Sequence, residues 1–544
     1  MSRDDFFWPE APALRQESHF GDRTLSAFAD RPADLEAMLA AAAAANPDGD
    51  AVICGSVRIS HARLRVIADQ VAALLVAEGM SRGDRVGLLV GNRWEFVAAL
   101  VGAVRAGIVI VPLSTRASPP ELAYILDDCG AALTICEAEL ADRLPEGARR
   151  LAMGAGPNAT GDARDPFAEI LATAPQTLAT DAPSVLLAEE DLAVILYTSG
   201  TTGNPKGAML THLNIVHSCL VYRHCMRLTA ADRTIVAVPA SHVTGLIANV
   251  FALLGVGGAV VMMPRFEADA FLALATAERM TFTMMVPAMY NLCLLRADFT
   301  RHDLSHWRVG SFGGAPMPVA TIERVAQLLP NLDLVQAYGA TETTSPATIM
   351  PAGGQIARPA SVGAPVPGAD IRIMDSDGHE VPRGQSGEVW IGGPMVVPGY
   401  WNLPEKTAES FIDGAWRSGD VGRLDDAGYL FIHDRLKDMI NRGGYKVFSA
   451  EVENVLAFHP GVAEVAVVPY PDPVLGEKVQ AFVHRRDADI DETILAAFCR
   501  ERLADYKIPD RFVFTTDPLP RNANGKLMKA PLREQARTDA ARDI

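Results

Sequence analysis

Short apolar runs alternate with stretches of helical length from residue 85 to residue 336, and this alternation limits the possible folds more than any other feature. Residues 85–90, 108–112 and 132–136 have the composition of buried strands, with helical stretches at 94–105 and 120–129 between them. The pattern resumes with strands at 234–238, 259–263, 282–286, 309–312 and 332–336, and helices at 243–254 and 269–279. Strands without polar alternation are covered on both faces, and strands joined by helices run parallel. The expected class is therefore α/β, with doubly wound sheets in a large N-terminal domain. An alanine-rich helix at 35–45 precedes them, and 138–190 is expected to be a loosely structured connector. From 371 to 431 short strands and turn signals predict a smaller β-rich subdomain. Beyond Arg435 follows a compact α+β unit: helix 450–458, strands 462–468 and 479–483, helix 492–503 and strand 512–515. A chain of 544 residues exceeds what one core supports, which agrees with this division.

One stretch carries a chemical signature. An apolar strand at 191–197 runs into Thr198-Ser199-Gly200-Thr201-Thr202-Gly203-Asn204-Pro205-Lys206-Gly207, and a helix is expected from 212 to 228. Glycines let backbone N–H groups converge, hydroxyls add donors and Lys206 adds a mobile positive charge, which together suit phosphate oxygens. It is not the Walker pattern, because Gly207 follows Lys206 where a metal-binding hydroxyl would stand, so a metal must be held from elsewhere.

The net charge of −17 argues against nucleic acid as partner. Seven cysteines without a Cys-x-x-Cys pair suggest buried thiols in a reduced, cytoplasmic protein. His212, His217, Cys219, His224 and Cys225 are spread around one helix, which favours core and surface roles over a metal site. The N-terminal segment has acids where a signal peptide needs cations, and no window offers about 18 apolar residues for a membrane span.

Four further polar clusters follow strand signals, where open α/β sheets bind ligands. They are Ser311-Phe312-Gly313-Gly314-Ala315-Pro316, Gln336-Ala337-Tyr338-Gly339-Ala340-Thr341-Glu342, Trp416-Arg417-Ser418-Gly419-Asp420 with Arg435-Leu436-Lys437-Asp438, and Pro520-Arg521-Asn522-Ala523-Asn524-Gly525-Lys526. Taken singly, each is an ordinary turn. Taken together and in this order, with Gly443-Gly444-Tyr445 after Arg435, they resemble the adenylate-forming (AMP-binding) superfamily over nearly the whole chain, and its acyl-CoA synthetase branch most closely.

That resemblance implies roles. Thr198, Ser199, Gly200, Thr201, Thr202, Gly203 and Lys206 would hold ATP phosphates. Gly314, Ala315, Pro316, Gln336, Tyr338 and Gly339 would border the adenine, Thr341 the α-phosphate, Glu342 the Mg²⁺, and Asp420 with Arg435 the ribose. Lys526, Thr198, Glu342 and His242 would stand closest to the chemistry, with His242 gating the acyl pocket. Lys437 matches the hinge, dividing the chain into 1–436 and a mobile 437–544, and Gly443 and Gly444 would line the coenzyme A path. Asp434, Asn441, Gly443 and Lys446 depart from the family pattern, leaving the grip on the CoA phosphates open. The implied reaction forms an acyl-adenylate and then a CoA thioester, in a monomer or homodimer. Loading of a separate carrier protein is the alternative. Apolar, methionine-containing segments at 243–250, 284–290 and 343–346 suggest a medium-chain, branched, cyclic or aryl acid.

Overall fold

A computed structural model describes residues 7–21, 23–154, 165–173, 185–198, 204–486, 489–521 and 527–542. The chain forms two compact units. The first comprises Met1–Ile371, Ile391–Arg417 and Gly428–Leu430, and the second Arg372–Trp390, Ser418–Ala427 and Phe431–Ile544.

In the first unit the predicted strands assemble into two mainly parallel sheets. The six-stranded sheet runs Lys206–Thr211, Leu192–Thr198, Val109–Pro112, Arg85–Leu89, Leu133–Glu137 and Arg150–Met153. The nine-stranded sheet is centred on Val309–Phe312, Phe282–Met285, Arg233–Val236 and Ala259–Met262. Val109–Pro112, Ala259–Met262 and Phe282–Met285 are buried at every position, as strands covered on both faces must be. Helix Trp94–Ala106 is buried along nearly its whole length and stops at Gly107, whose φ of 68° places it in the left-handed region. Where it crosses helix His61–Ala77, a Cβ on Gly102 would lie 2.5 Å from Val71, so only glycine allows this approach. Asn92 ties the two sheets. Its amide donates to the carbonyls of Val236, Val238 and Met263 at 2.8, 2.9 and 3.1 Å, and its oxygen accepts from the Ala240 N–H.

Several expectations are corrected here. The phosphate-loop strand is followed by a second strand, Lys206–Thr211, which pairs antiparallel with it before helix His212–Cys225 begins. The described part of 138–190 holds a 3₁₀ helix (Ala138–Arg143), an edge strand (Arg150–Met153) and a helix (Pro166–Thr173) rather than only a connector. The stretch 243–254 is a π-helix over Thr244–Phe251 followed by a short α-helix, Ala252–Gly255. Asn249 explains the widening: its amide donates to the carbonyls of Thr244 and Met284, while its oxygen accepts from the Thr234 hydroxyl and the Met284 N–H.

In the second unit, Val462–Asp472 and Gly476–Arg485 pair antiparallel, and Arg511–Thr515 joins Gly476–Arg485 in parallel. Alternate residues serve opposite faces. Val467 and Val483 pack with Val452, Leu456 and Leu495 of helices Ser449–Ala457 and Glu492–Arg500. Ala466, Val468 and Phe482 pack with Leu532 and Ala536 of a helix missed in the sequence, Lys529–Arg542. All seven cysteines are free, and among the described residues no helix is long and apolar enough to cross a membrane.

The histidines of helix His212–Cys225 are packing residues. His217 is fully buried with its ring 4.8 Å from that of Phe28, and His224 sits 5.7 Å from the same ring. Nε2 of His217 pairs with the Pro367 carbonyl at 3.0 Å, while Nδ1 has no partner among the described residues. A second ring proton would be buried without an acceptor, and burial lowers the pKa from 6.5 to about 4. Unfolded chains therefore take up the proton first as pH falls. The stability that neutral His217 provides is complete above pH 6.5 and is lost between 6.5 and 4. Denaturant unfolding of the first unit should lose about 2 kcal/mol more between pH 7 and 4.5 in the wild type than in His217→Gln. Equal losses would contradict this role.

Candidate active site

Within the first unit, the hairpin formed by Leu192–Thr198 and Lys206–Thr211 sets Thr198 opposite Lys206, and the Thr198 hydroxyl donates to the Lys206 carbonyl at 3.4 Å. Ser199, Gly200, Thr201, Thr202 and Gly203 lie outside the described residues. A Cβ on Gly207 would stand 2.7 Å from Ile195, so the returning strand needs glycine there.

Lys206 does not project alone. Its ammonium lies 4.3 Å from the centre of the Tyr400 ring, and the Tyr400 hydroxyl donates to Oε1 of Glu342 at 2.8 Å. Segment 397–401 is laid along the hairpin by backbone hydrogen bonds, Met209 N–H to Gly399 and Trp401 N–H to Gly207. The Val397 N–H donates to the Glu342 carbonyl at 3.0 Å, so one segment positions both the lysine and the glutamate. Burial, and then the Glu342 charge, push the Tyr400 phenol well above its ordinary pKa, so it stays a donor.

Glu342 is buried on a tightly folded loop. A Cβ on Gly339 would fall 1.9 Å from the Ser345 carbonyl, which only glycine avoids. The Thr343 hydroxyl accepts from the Ala340 N–H and contacts the Ser345 carbonyl at 2.8 Å. Thr344 and Ser345 have φ of 48° and 85°, a conformation that costs about 1–3 kcal/mol per non-glycine residue and is kept only where surroundings impose it. The Tyr222 and Ser345 hydroxyls pair at 2.7 Å beneath this loop.

After strand Val309–Phe312, Gly314, Ala315 and Pro316 are exposed, while a Cβ on Gly313 would meet the Ala337 carbonyl at 2.5 Å. Gln336 is buried, with its N–H bonded to Gln355, and Tyr338 and Thr341 are half-buried at the end of the neighbouring strand, Asp333–Ala340. His242 is half-buried just before the π-helix, its carbonyl accepting from the Leu246 N–H at 2.7 Å.

The second unit holds the remaining described candidates. Asp420 is buried and Nε of Arg435 lies 3.3 Å from its carboxylate. Lys437 is exposed in a turn between Leu430–Arg435 and Ile440–Arg442. Gly443 and Gly444, with φ of 58° and 91°, form the two-residue turn joining Ile440–Arg442 to Tyr445–Val447, a geometry that favours glycine at both positions. Lys526 lies outside the described residues. Asp434 has a structural explanation: its carboxylate accepts from the N–H groups of Arg435 and Ser449, fastening the Arg435 strand to the start of helix Ser449–Ala457.

Tyr400 was not anticipated. Its signal in the sequence, Gly399-Tyr400-Trp401 after Pro398, carries no charge, and its partners lie 194 and 58 residues upstream.

Residues 39–401 match the AMP-binding enzyme family, and 451–526 match the AMP-binding enzyme C-terminal domain. The long-chain-fatty-acid–CoA ligase FadD13 of Mycobacterium tuberculosis is 36% identical over 479 residues, covering 88% of this chain and 93% of the relative. Feruloyl-CoA synthase of an Amycolatopsis species is 36% identical over 496 residues, covering 90% and 96%. The ATP-bound MatB of Rhodopseudomonas palustris superposes with a TM-score of 0.83 at 34% identity, covering 93% of this chain and 99% of that one. The chain belongs to the AMP-binding enzyme family, among its ATP-dependent carboxylate–CoA ligases.

Proposed function

We propose that this ligase acts on an apolar acid and divides its labour among the residues named from the sequence. The observation that carries this division is Tyr400 set between the Lys206 ammonium and the Glu342 carboxylate. In this reading Thr198, residues 199–203 and Lys206 bind the β- and γ-phosphates. Gly314 to Pro316, Gln336, Tyr338 and Gly339 form the adenine site, and Thr341 donates to the α-phosphate. Asp420 and Arg435 hold the ribose, and Lys526 draws the acid's carboxylate against the α-phosphorus. His242 borders the acyl pocket. Lys437 serves as the hinge between 1–436 and 437–544, and Gly443 and Gly444 flank the approach of CoA.

Glu342 fits a magnesium ion: it offers a buried hard oxygen, and Mg²⁺ pairs one or two carboxylates with substrate phosphates rather than filling an all-protein cage. When bound, Mg²⁺ supplies charge neutralisation on the phosphates. The chain's own share is electrostatic. Lys206 and the Thr341 hydroxyl offset charge on the phosphoryl oxygens, and Lys526 removes the repulsion between two anions as they approach. A cytoplasmic location and a monomer or homodimer complete the proposal.

The acid class rests on burial of apolar side chains in the segments proposed to border the pocket: Leu246, Ile247 and Val250 of the π-helix, and Met284 and Met289. With ATP and CoA, kcat/KM across a straight-chain series should rise with length from acetate, each methylene contributing about 1 kcal/mol until the pocket is full. Aryl acids should also exceed acetate. Preference for acetate or for an amino acid would reject this class.

A further inference from the structure

A flexible cation and a carboxylate on neighbouring segments ordinarily close into an ion pair. If Lys206 and Glu342 did so, each would neutralise the group the other site needs. The ammonium would be withheld from phosphate and the carboxylate from a cation. Among the described residues no ion pair forms between them. Lys206 rests instead on the face of Tyr400, 4.3 Å from the ring centre, while Glu342 receives the hydroxyl at the far end of the same side chain. The ring attracts the ammonium through its quadrupole without cancelling its charge. The hydroxyl donates to Oε1 alone and leaves the second carboxylate oxygen outside that bond.

Tyr400 is itself held rigidly. It pairs with Ala208 of the hairpin, its N–H donates to the Thr407 hydroxyl at 2.9 Å, and its ring packs edge-on against Phe411 at 5.5 Å. Trp416 and Ser410 also contact the phenol.

We infer that Tyr400 is a positioning residue that separates Lys206 from Glu342, presenting the ammonium to phosphate oxygens and one carboxylate oxygen to a divalent cation. This rests on the reading of Lys206 and Glu342 given above and gives Tyr400 a role that reading does not assign.

Two substitutions divide the two tasks. Tyr400→Phe keeps the ring and removes the hydroxyl; Tyr400→Leu removes both. The full chain is titrated with ATP in EDTA by calorimetry, and with Mn²⁺ in the presence of ATP by electron paramagnetic resonance, with no acid added. Circular dichroism and thermal unfolding check each variant's fold. Tyr400→Phe should bind metal-free ATP within about twofold of wild type and weaken Mn²⁺ about tenfold, the loss expected for one hydrogen bond to a charged group. Tyr400→Leu should weaken metal-free ATP as well, by about fivefold, as Lys206 turns to Glu342.

A merely structural tyrosine would lower the unfolding temperature in both variants without separating the two affinities. Wild-type Mn²⁺ affinity in a folded Tyr400→Phe overturns the inference, as does unchanged ATP affinity in Tyr400→Leu. Lys206→Ala and Glu342→Ala serve as reference. If they leave ATP and Mn²⁺ binding intact, the underlying reading of the site fails instead.

Discussion

Lys526→Ala is expected to lower acyl-adenylate formation by about 10³-fold, while conversion of supplied acyl-adenylate and CoA to thioester stays within about threefold of wild type. The first half-reaction brings a carboxylate against a phosphoryl group that is already negative, and a lysine between them removes that repulsion. Once the adenylate exists, the second half-reaction has no such pair to hold. The converse variant is Gly444→Trp, which should impair thioester formation more than adenylation. Gly444 has φ of +91°, and a Cβ there meets nothing within 4 Å, so a larger side chain starts into open space. Asparagine tolerates the left-handed region, which makes Gly444→Asn the control for backbone strain, and it should remain near wild type in both steps. Each half-reaction is measured alone, by pyrophosphate release and by thioester formation from supplied adenylate. Equal slowing of both steps by Lys526→Ala would contradict the assignment.

The second large effect concerns Glu342. Glu342→Ala should reduce adenylation by about 10²–10³-fold and raise the magnesium concentration needed for half-maximal rate. Glu342→Gln keeps an oxygen for the Tyr400 hydroxyl and so should stay folded, yet it lacks the charge and should be nearly as impaired. Magnesium titrations of pyrophosphate release distinguish these outcomes. Near-normal rates with unchanged magnesium dependence would remove Glu342 from the metal site.

The alternation of strands and helices was legible because burial on both faces leaves uninterrupted apolar runs such as 109–112 and 259–262. Helix His61–Ala77 escaped notice because it is buried on several faces, including Asp69, whose carboxylate accepts from Arg105, so its polar positions do not mark a solvent side. The strand Lys206–Thr211 abuts a helix with no break between them, and only pairing with Leu192–Thr198 distinguishes it. The π-helix depends on Asn249 reaching the backbone of Met284, a tertiary contact that no local periodicity encodes. Lys206, Glu342, Asp420 and Arg435 stood out as charges in turn-like surroundings. The uncharged Tyr400, which joins two of them, did not. Asp434 looked like a departure until its partner fifteen residues on, the Ser449 N–H, gave it a capping role.

The most direct test incubates the purified full-length chain with Mg²⁺, ATP and a medium-chain or aryl acid, with and without CoA, and follows AMP, pyrophosphate and acyl product together. One AMP and one pyrophosphate for each CoA thioester formed, with little turnover when CoA is omitted, is the predicted result. Release of ADP and phosphate, or adenylate that accumulates with CoA present and is discharged only by a carrier protein, would contradict it.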